Sequence, residues 1–186
     1  FMINDITIRA MSKAVYSEEN IGHYGLGFDF YTHFTSPIRR YPDLIVHRIL
    51  YEVINGMNAK RAQHYYKELP DICKQSTEME INATQAEREA IKILQCQYME
   101  SHVGKEFAGI VSGISEFGIY VEMTDTMIEG MVRLRDLNDD YYILDQQNYQ
   151  IIGRRRRKKY RIGDKVRVRV LKVDTEHRWI DLVITR

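Results

Sequence analysis

The run Lys165-Val166-Arg167-Val168-Arg169-Val170 alternates cation and valine without a break, and few patterns leave a chain less freedom. Successive side chains of a strand point to opposite faces, so the valines enter a core while Lys165, Arg167 and Arg169 share one outer face. A helix would scatter the same residues around its circumference. Residues 104–112, 117–123 and 127–132 likewise cluster β-branched and aromatic residues between glycines, and Trp179–Thr185 supplies a final strand. Five strands in about 80 residues, with a glycine-marked bend at Gly118, fit a small closed antiparallel barrel of the OB type.

The first half has a different period. Residues 1–103 read as helical, with a boundary near Val103-Gly104, so the chain is α+β. Ile8, Met11 and Val15 give Asn4–Val15 an amphipathic helical pattern. Residues 17–34, broken by glycines and polar residues, are expected to be irregular. Ser36-Pro37 is a helix-start signal: a capping hydroxyl, then a residue whose missing N–H is no loss at the first helical position. Tyr41 precedes Pro42 and is disfavoured in helical angles, so a longer helix restarts at Pro42 and runs to about Ile54, ended by Asn55-Gly56. A short helix near Ala59–Leu69 follows, and Pro70 opens another. There Met79, Ala83, Ala86, Ala90 and Ile93 form a narrow stripe suited to close packing on a second helix.

Composition excludes more than it assigns. Among 186 residues, 27 basic and 26 acidic side chains leave a net charge of +1, so no global field recruits a polyanion. Affinity for nucleic acid must come from how charge is distributed. No apolar run approaches the ~18 residues a membrane span needs, and no signal-peptide pattern opens the chain. Cys73 and Cys96, far apart and outside any CxxC spacing, fit reduced thiols in a cytoplasmic protein. A first residue of Phe1 leads us to expect a fragment of a longer protein.

Arg39 and Arg40 follow Ser36-Pro37-Ile38 and would occupy the first helical turn, at the positive end of its dipole. Cations are unfavourable there unless an anion docks, and free N–H groups with two guanidinium forks suit a phosphate. The alternative is an exposed turn whose arginines pair with a distant carboxylate. The whole block, Thr32-His33-Phe34-Thr35-Ser36-Pro37-Ile38-Arg39-Arg40-Tyr41-Pro42-Asp43-Leu44 with His47-Arg48 beyond it, resembles the RNase II/RNase R family of exoribonucleases. The resemblance implies that Arg39 acts on the scissile phosphate and that Arg40 and Tyr41 touch RNA. It also implies that Glu87, in an Ala86-Glu87-Arg88 segment, lies near the 3′ end of bound RNA. A carboxylate there would accept a hydrogen bond from a terminal ribose hydroxyl and so tell RNA from DNA. By its residues alone, Glu87 is equally an ordinary helix-surface glutamate. Asp43 and His47 stand one helical turn apart and are expected to form a local hydrogen bond; His33 reads as a turn residue.

The strand half carries a resemblance of its own. Gly109-Ile110-Val111, Glu116-Phe117-Gly118-Ile119-Tyr120-Val121, Gly130-Met131-Val132 and Gly163-Asp164 are similar to the ribosomal-protein-S-one type of RNA-binding domain, over residues 104–186. That resemblance implies that Phe117 and Tyr120 stack on exposed bases; packing inside the barrel is the alternative. Where many members carry a histidine after the valine, this chain has Arg133, a cation able to stack or bind phosphate. Arg167 and Arg169 would add phosphate contacts. Arg154-Arg155-Arg156-Arg157-Lys158-Lys159 is expected to be a solvated, mobile loop with salt-sensitive phosphate contacts at most.

Metal-assisted hydrolysis of a phosphodiester needs clustered carboxylates. The family supplies its magnesium ligands as an aspartate cluster ahead of the arginine block, where this chain has only the scattered Asp5 and Asp29. The expected function is therefore the carboxy-terminal part of a processive 3′→5′ exoribonuclease releasing nucleoside monophosphates. On this reading magnesium is held elsewhere in the full-length protein, single-stranded RNA is the partner, and the fragment alone is inactive. The competing reading is a non-catalytic RNA-binding adaptor.

Overall fold

A computed structural model describes residues 7–8, 10–11 and 14–185. The chain forms two compact units, Ser12–Glu87 and Phe1–Met11 with Arg88–Arg186. The helix expected over Asn4–Val15 falls largely outside the described residues.

In the unit of residues 12–87, a 3-10 turn at Tyr24–Leu26 is followed by helix α1, Tyr41–Ile54. No helix begins at Ser36-Pro37. The Ser36 carbonyl accepts from the N–H of Arg39 and Arg40 at 3.3 and 3.0 Å, an isolated turn, and Arg40 then takes extended angles before α1 starts. The cause is Asp43: its buried carboxylate receives the Ser36 N–H at 2.7 Å, folding the segment back onto the first turn of α1. Asn55 caps the far end of α1, and Gly56 follows at φ 86°.

Helix α2 runs unbroken from Ala59 to Glu100, where two shorter helices were expected. Asn58 caps its start, its side-chain oxygen accepting from Arg61 N at 2.9 Å. Pro70 lies inside it. Proline removes one hydrogen bond there, but its fixed φ is itself helical, so the chain carries on. The stripe of Met79, Ala83, Ala86, Ala90 and Ile93 packs on no second helix among the described residues; every member is exposed. The Arg61 guanidinium forks onto Glu52 with two 2.8 Å bonds, and Tyr65 Oη donates to Glu52 at 2.8 Å, tying α1 to the first turns of α2.

In the other unit, strands β1 (Glu106–Ile114), β2 (Gly118–Met123), β3 (Ile128–Arg133), β7 (Lys165–Asp174) and β8 (Trp179–Ile184) close into a barrel of order β1-β2-β3-β8-β7. It is mixed rather than wholly antiparallel: β3 and β8 run parallel, in register at Met131 and Asp181. The reason is geometric. Five directions cannot alternate all the way round a closed ring, so one seam must be parallel. The alternation in β7 is as expected, with Val168 and Val170 buried and Lys165, Arg167 and Arg169 exposed. Val111, Ile119, Val121, Val132 and Leu182 fill the interior, and Cys96 and Met99 from the last turns of α2 join the same core.

The polar stretch between β3 and β7 is not a loop. Strands β4 (Tyr142–Asp145), β5 (Gln150–Gly153) and β6 (Lys159–Arg161) form a small antiparallel sheet, with Tyr142, Ile151 and Tyr160 in the core. The basic run is thus the tip of the β5–β6 hairpin, exposed to solvent as expected but folded rather than a free loop.

Candidate nucleic-acid interface

Phe117 owes its position to the turn that precedes β2. Ser115 Oγ accepts from the N–H of Phe117 and Gly118 at 3.2 and 3.3 Å, while Ser115 N donates to the Gly118 carbonyl at 2.9 Å. A side chain at Gly118 would collide with the Val132 carbonyl oxygen on β3, so the strand can lie this close only because the residue is glycine. Phe117 is left 69% exposed, which excludes the packed alternative for this residue. Tyr120 follows on the outward face of β2, opposite Met131, its ring lying over Gly113.

The same surface gathers residues that the sequence did not single out. Trp179, at the start of β8, is 56% exposed. Phe117, Tyr120, Met131, Arg133 and Trp179 line one cavity of about 850 Å³. Arg178 stands at its edge in an ion pair with Glu89 at 2.9 Å, and Lys92 Nζ donates to the Glu129 carbonyl at 3.0 Å. Period two was the available signal: with Ile180 and Leu182 in the core, Trp179 and Asp181 must face outward. Arg133 is not a free cation, because its guanidinium forks onto Asp181.

Other expected residues lie apart from this groove. Arg167 borders a smaller recess beside Ala108 and Lys165, and Arg169 pairs with Glu106 at 2.6 Å. These two belong to the outer face of β7.

In the unit of residues 12–87, Arg39 and Arg40 part company. Arg40 Nη2 donates to the buried Asp43 carboxylate at 2.8 Å. Burial pushes the Asp43 carboxyl up, but the Arg40 and Ser36 hydrogen bonds outweigh it and hold the group below its ordinary value. Arg39 is exposed at the apex of the same turn, without a hydrogen bond or ion pair from its side chain among the described residues. Tyr41 is half exposed, and Glu87 is exposed on α2. His47 does not bond Asp43: its Nε2 meets the Phe34 carbonyl at 2.9 Å and its ring stacks on Phe34 at 4.1 Å. Asp43 instead takes its hydrogen bonds from Ser36 and Arg40, both at Oδ2. His33 sits edge-on to Tyr16 and Tyr31, more enclosed than a simple turn residue.

Among the described residues no group of three or more His, Cys, Asp or Glu gathers to hold a metal ion, and no helix is long and apolar enough to cross a membrane.

The chain matches the RNB domain over residues 2–56 and the S1 RNA binding domain over residues 100–185. Ribonuclease R of Aquifex aeolicus is 41% identical over 177 residues, covering 94% of this chain and 25% of its own length. That of Ureaplasma parvum is 43% identical over 183 residues, covering 97% and 25%. The solved structure of Mycoplasma genitalium RNase R in complex with ribose methylated single-stranded RNA superposes with a TM-score of 0.89 at 30% identity, over 97% of this chain and 28% of that one. The chain spans about a quarter of the length of these curated relatives.

Proposed function

The chain belongs to the ribonuclease R family, carrying the end of an RNB domain followed by an S1 domain, and from that premise we propose that it grips single-stranded RNA and presents a phosphate-binding arginine within a 3′→5′ exoribonuclease. The observation that carries this reading is the groove itself, where Phe117, Tyr120 and Trp179 face one open cavity. Aromatic rings left in water at a concave surface suit bases, and single-stranded bases offer both faces to them. The Mycoplasma genitalium RNase R was solved in complex with ribose methylated single-stranded RNA, and the likeness of this chain to it supports the same reading.

Arg39 is the group suited to the scissile phosphate: exposed, uncommitted, and carried on a turn that Asp43 holds shut. Its role would be electrostatic, meeting charge that develops on the phosphate in the transition state. Arg40 supports that turn, with Tyr41 beside it, and Glu87 would contact the terminal ribose. We place the boundary between the catalytic and RNA-binding parts near Gly104. Magnesium, which the family generally uses, finds no fitting donor set among the described residues, and we infer that its ligands correspond to the part of the relatives that this chain does not span. By itself the chain is expected to bind RNA and release no nucleotides.

Fluorescence anisotropy with a labelled single-stranded RNA tests the groove. Phe117→Ala and Tyr120→Ala should each weaken binding by about 1–3 kcal/mol, roughly 5- to 150-fold, as befits one lost stack. Unchanged affinity in both variants would remove the groove from the function.

A further inference from the structure

We propose that the tip of the β5–β6 hairpin, Arg155, Arg156, Arg157 and Lys159, is a second RNA site, one that takes the phosphodiester backbone. The inference rests on the RNA-binding reading above but uses a different surface.

The tip is held by its backbone, leaving its side chains to other work. The Asp140 carboxylate accepts from Tyr141 N at 2.7 Å, from Arg155 N at 2.9 and 3.0 Å, and from Arg156 N at 2.6 Å. Partial burial pushes this carboxyl up, but the N–H groups of Arg156, Arg155 and Tyr141 prevail and hold it below its ordinary value. A Cβ at Gly153 would sit 2.5 Å from Asp140 Oδ2, so glycine is what admits the carboxylate. Gly153 N also donates to the Lys158 carbonyl at 2.9 Å, closing the turn. The backbone anion nest of this tip is therefore already filled from within.

The guanidinium groups of the tip are held less fully than its amides. Of the six cations, Arg154 lies 5.4 Å over the Tyr141 ring, and Lys158 lies 5.0 Å over Tyr160 and 3.6 Å from Asp139. Arg155, Arg156, Arg157 and Lys159 form no ion pair among the described residues, although the Arg155 charge helps to lower the Asp140 carboxyl. Arg157 holds φ at 57°, a left-handed conformation that glycine adopts more readily, yet the residue is a cation. Like charges crowded on a held turn repel one another, and a bound polyanion relieves that repulsion.

Two details select a nucleic-acid backbone. Arginine's planar fork matches phosphate in two-point contact. Of the two rings at the tip, Tyr160 is buried under Lys158, and Tyr141, still 67% exposed, carries Arg154 over one face, so cations rather than rings make up most of this surface. The cations of the tip therefore meet phosphates, which single- and double-stranded RNA both present. The aromatic groove distinguishes the two.

The test compares the chain with its R155Q/R156Q/R157Q and R155K/R156K/R157K variants, on single-stranded and duplex RNA, across roughly 50–200 mM salt. Both variants keep the amides that Asp140 holds, and equal melting temperatures check this. With glutamines, affinity should fall for both RNA forms, and the slope of log K against log salt for the single strand should become shallower by about 2, at about 0.7 per phosphate contact. With lysines the slope should stay near that of the parent. An unchanged slope with glutamines, an equal loss with lysines, or competition by poly-glutamate as effective as RNA of equal charge would each overturn the proposal. Failure of the groove shows separately, as unchanged single-strand affinity in Phe117→Ala, whatever the tip variants do.

Discussion

Arg133 Nη2 donates to both carboxylate oxygens of Asp181, at 3.0 and 2.8 Å, and Nε adds a bond of 3.2 Å to Oδ1. The pair clasps β3 to β8 across the barrel's parallel seam, where the strands meet in register at Met131 and Asp181. It also forms one wall of the aromatic groove.

Because a clasp lost on one side strands its partner, Arg133→Ala should destabilise the barrel by about 1–2 kcal/mol, discounted for partial exposure. Urea unfolding measures it. Asp181→Asn should also loosen the barrel, yet leave the salt slope of RNA binding unchanged if Arg133 serves as a clasp. A steeper slope would mark Arg133 as a phosphate contact released from its partner.

The two arginines of the turn should separate cleanly. Arg39→Ala should change stability by no more than about 0.5 kcal/mol, as for an exposed side chain without partners. Arg40→Ala leaves the Asp43 carboxylate buried without its cation and should cost about 1–3 kcal/mol. Melting curves of the two variants decide it. If Arg39→Ala proved the more damaging, Arg39 could not be the free phosphate ligand.

Glu52 carries a pH dependence with a definite sign. Hydrogen bonds from Arg61 and then Tyr65 hold its carboxyl at about 2 rather than the usual 4.5. A depressed folded-state value favours the ionised native form, so the stabilisation is complete above pH 4.5 and is lost as pH falls toward about 2. Stability measured by urea between these limits should fall more steeply for the parent chain than for Glu52→Gln.

The barrel was legible wherever side chains alternate. Val166, Val168 and Val170 announce β7, and Phe117-Gly118 marks the turn that exposes an aromatic. The small sheet β4–β6 was not legible, because strands of three or four residues are too short to show a period, and Arg154–Lys159 looks like loop by composition. Its fold depends on Asp140 reaching amides fifteen and sixteen residues away, a long-range contact with no local pattern. The same reason hid the turn at Ser36–Arg40. Ser36-Pro37 carries the local signal of a helix start, and Asp43, seven residues on, overrides it. Trp179 follows from the same period of two: Ile180 and Leu182 facing inward fix it outward.

Trp179 is the single tryptophan of the chain, so its fluorescence reports on the groove alone. The most direct measurement is a titration of that signal with single-stranded and duplex RNA, with anisotropy followed in parallel. Base stacking in the groove predicts saturable quenching by the single strand, tracking its anisotropy curve, and little change with duplex even where duplex binds. A single strand that binds by anisotropy while the Trp179 signal stays flat would contradict the groove as the seat of RNA recognition.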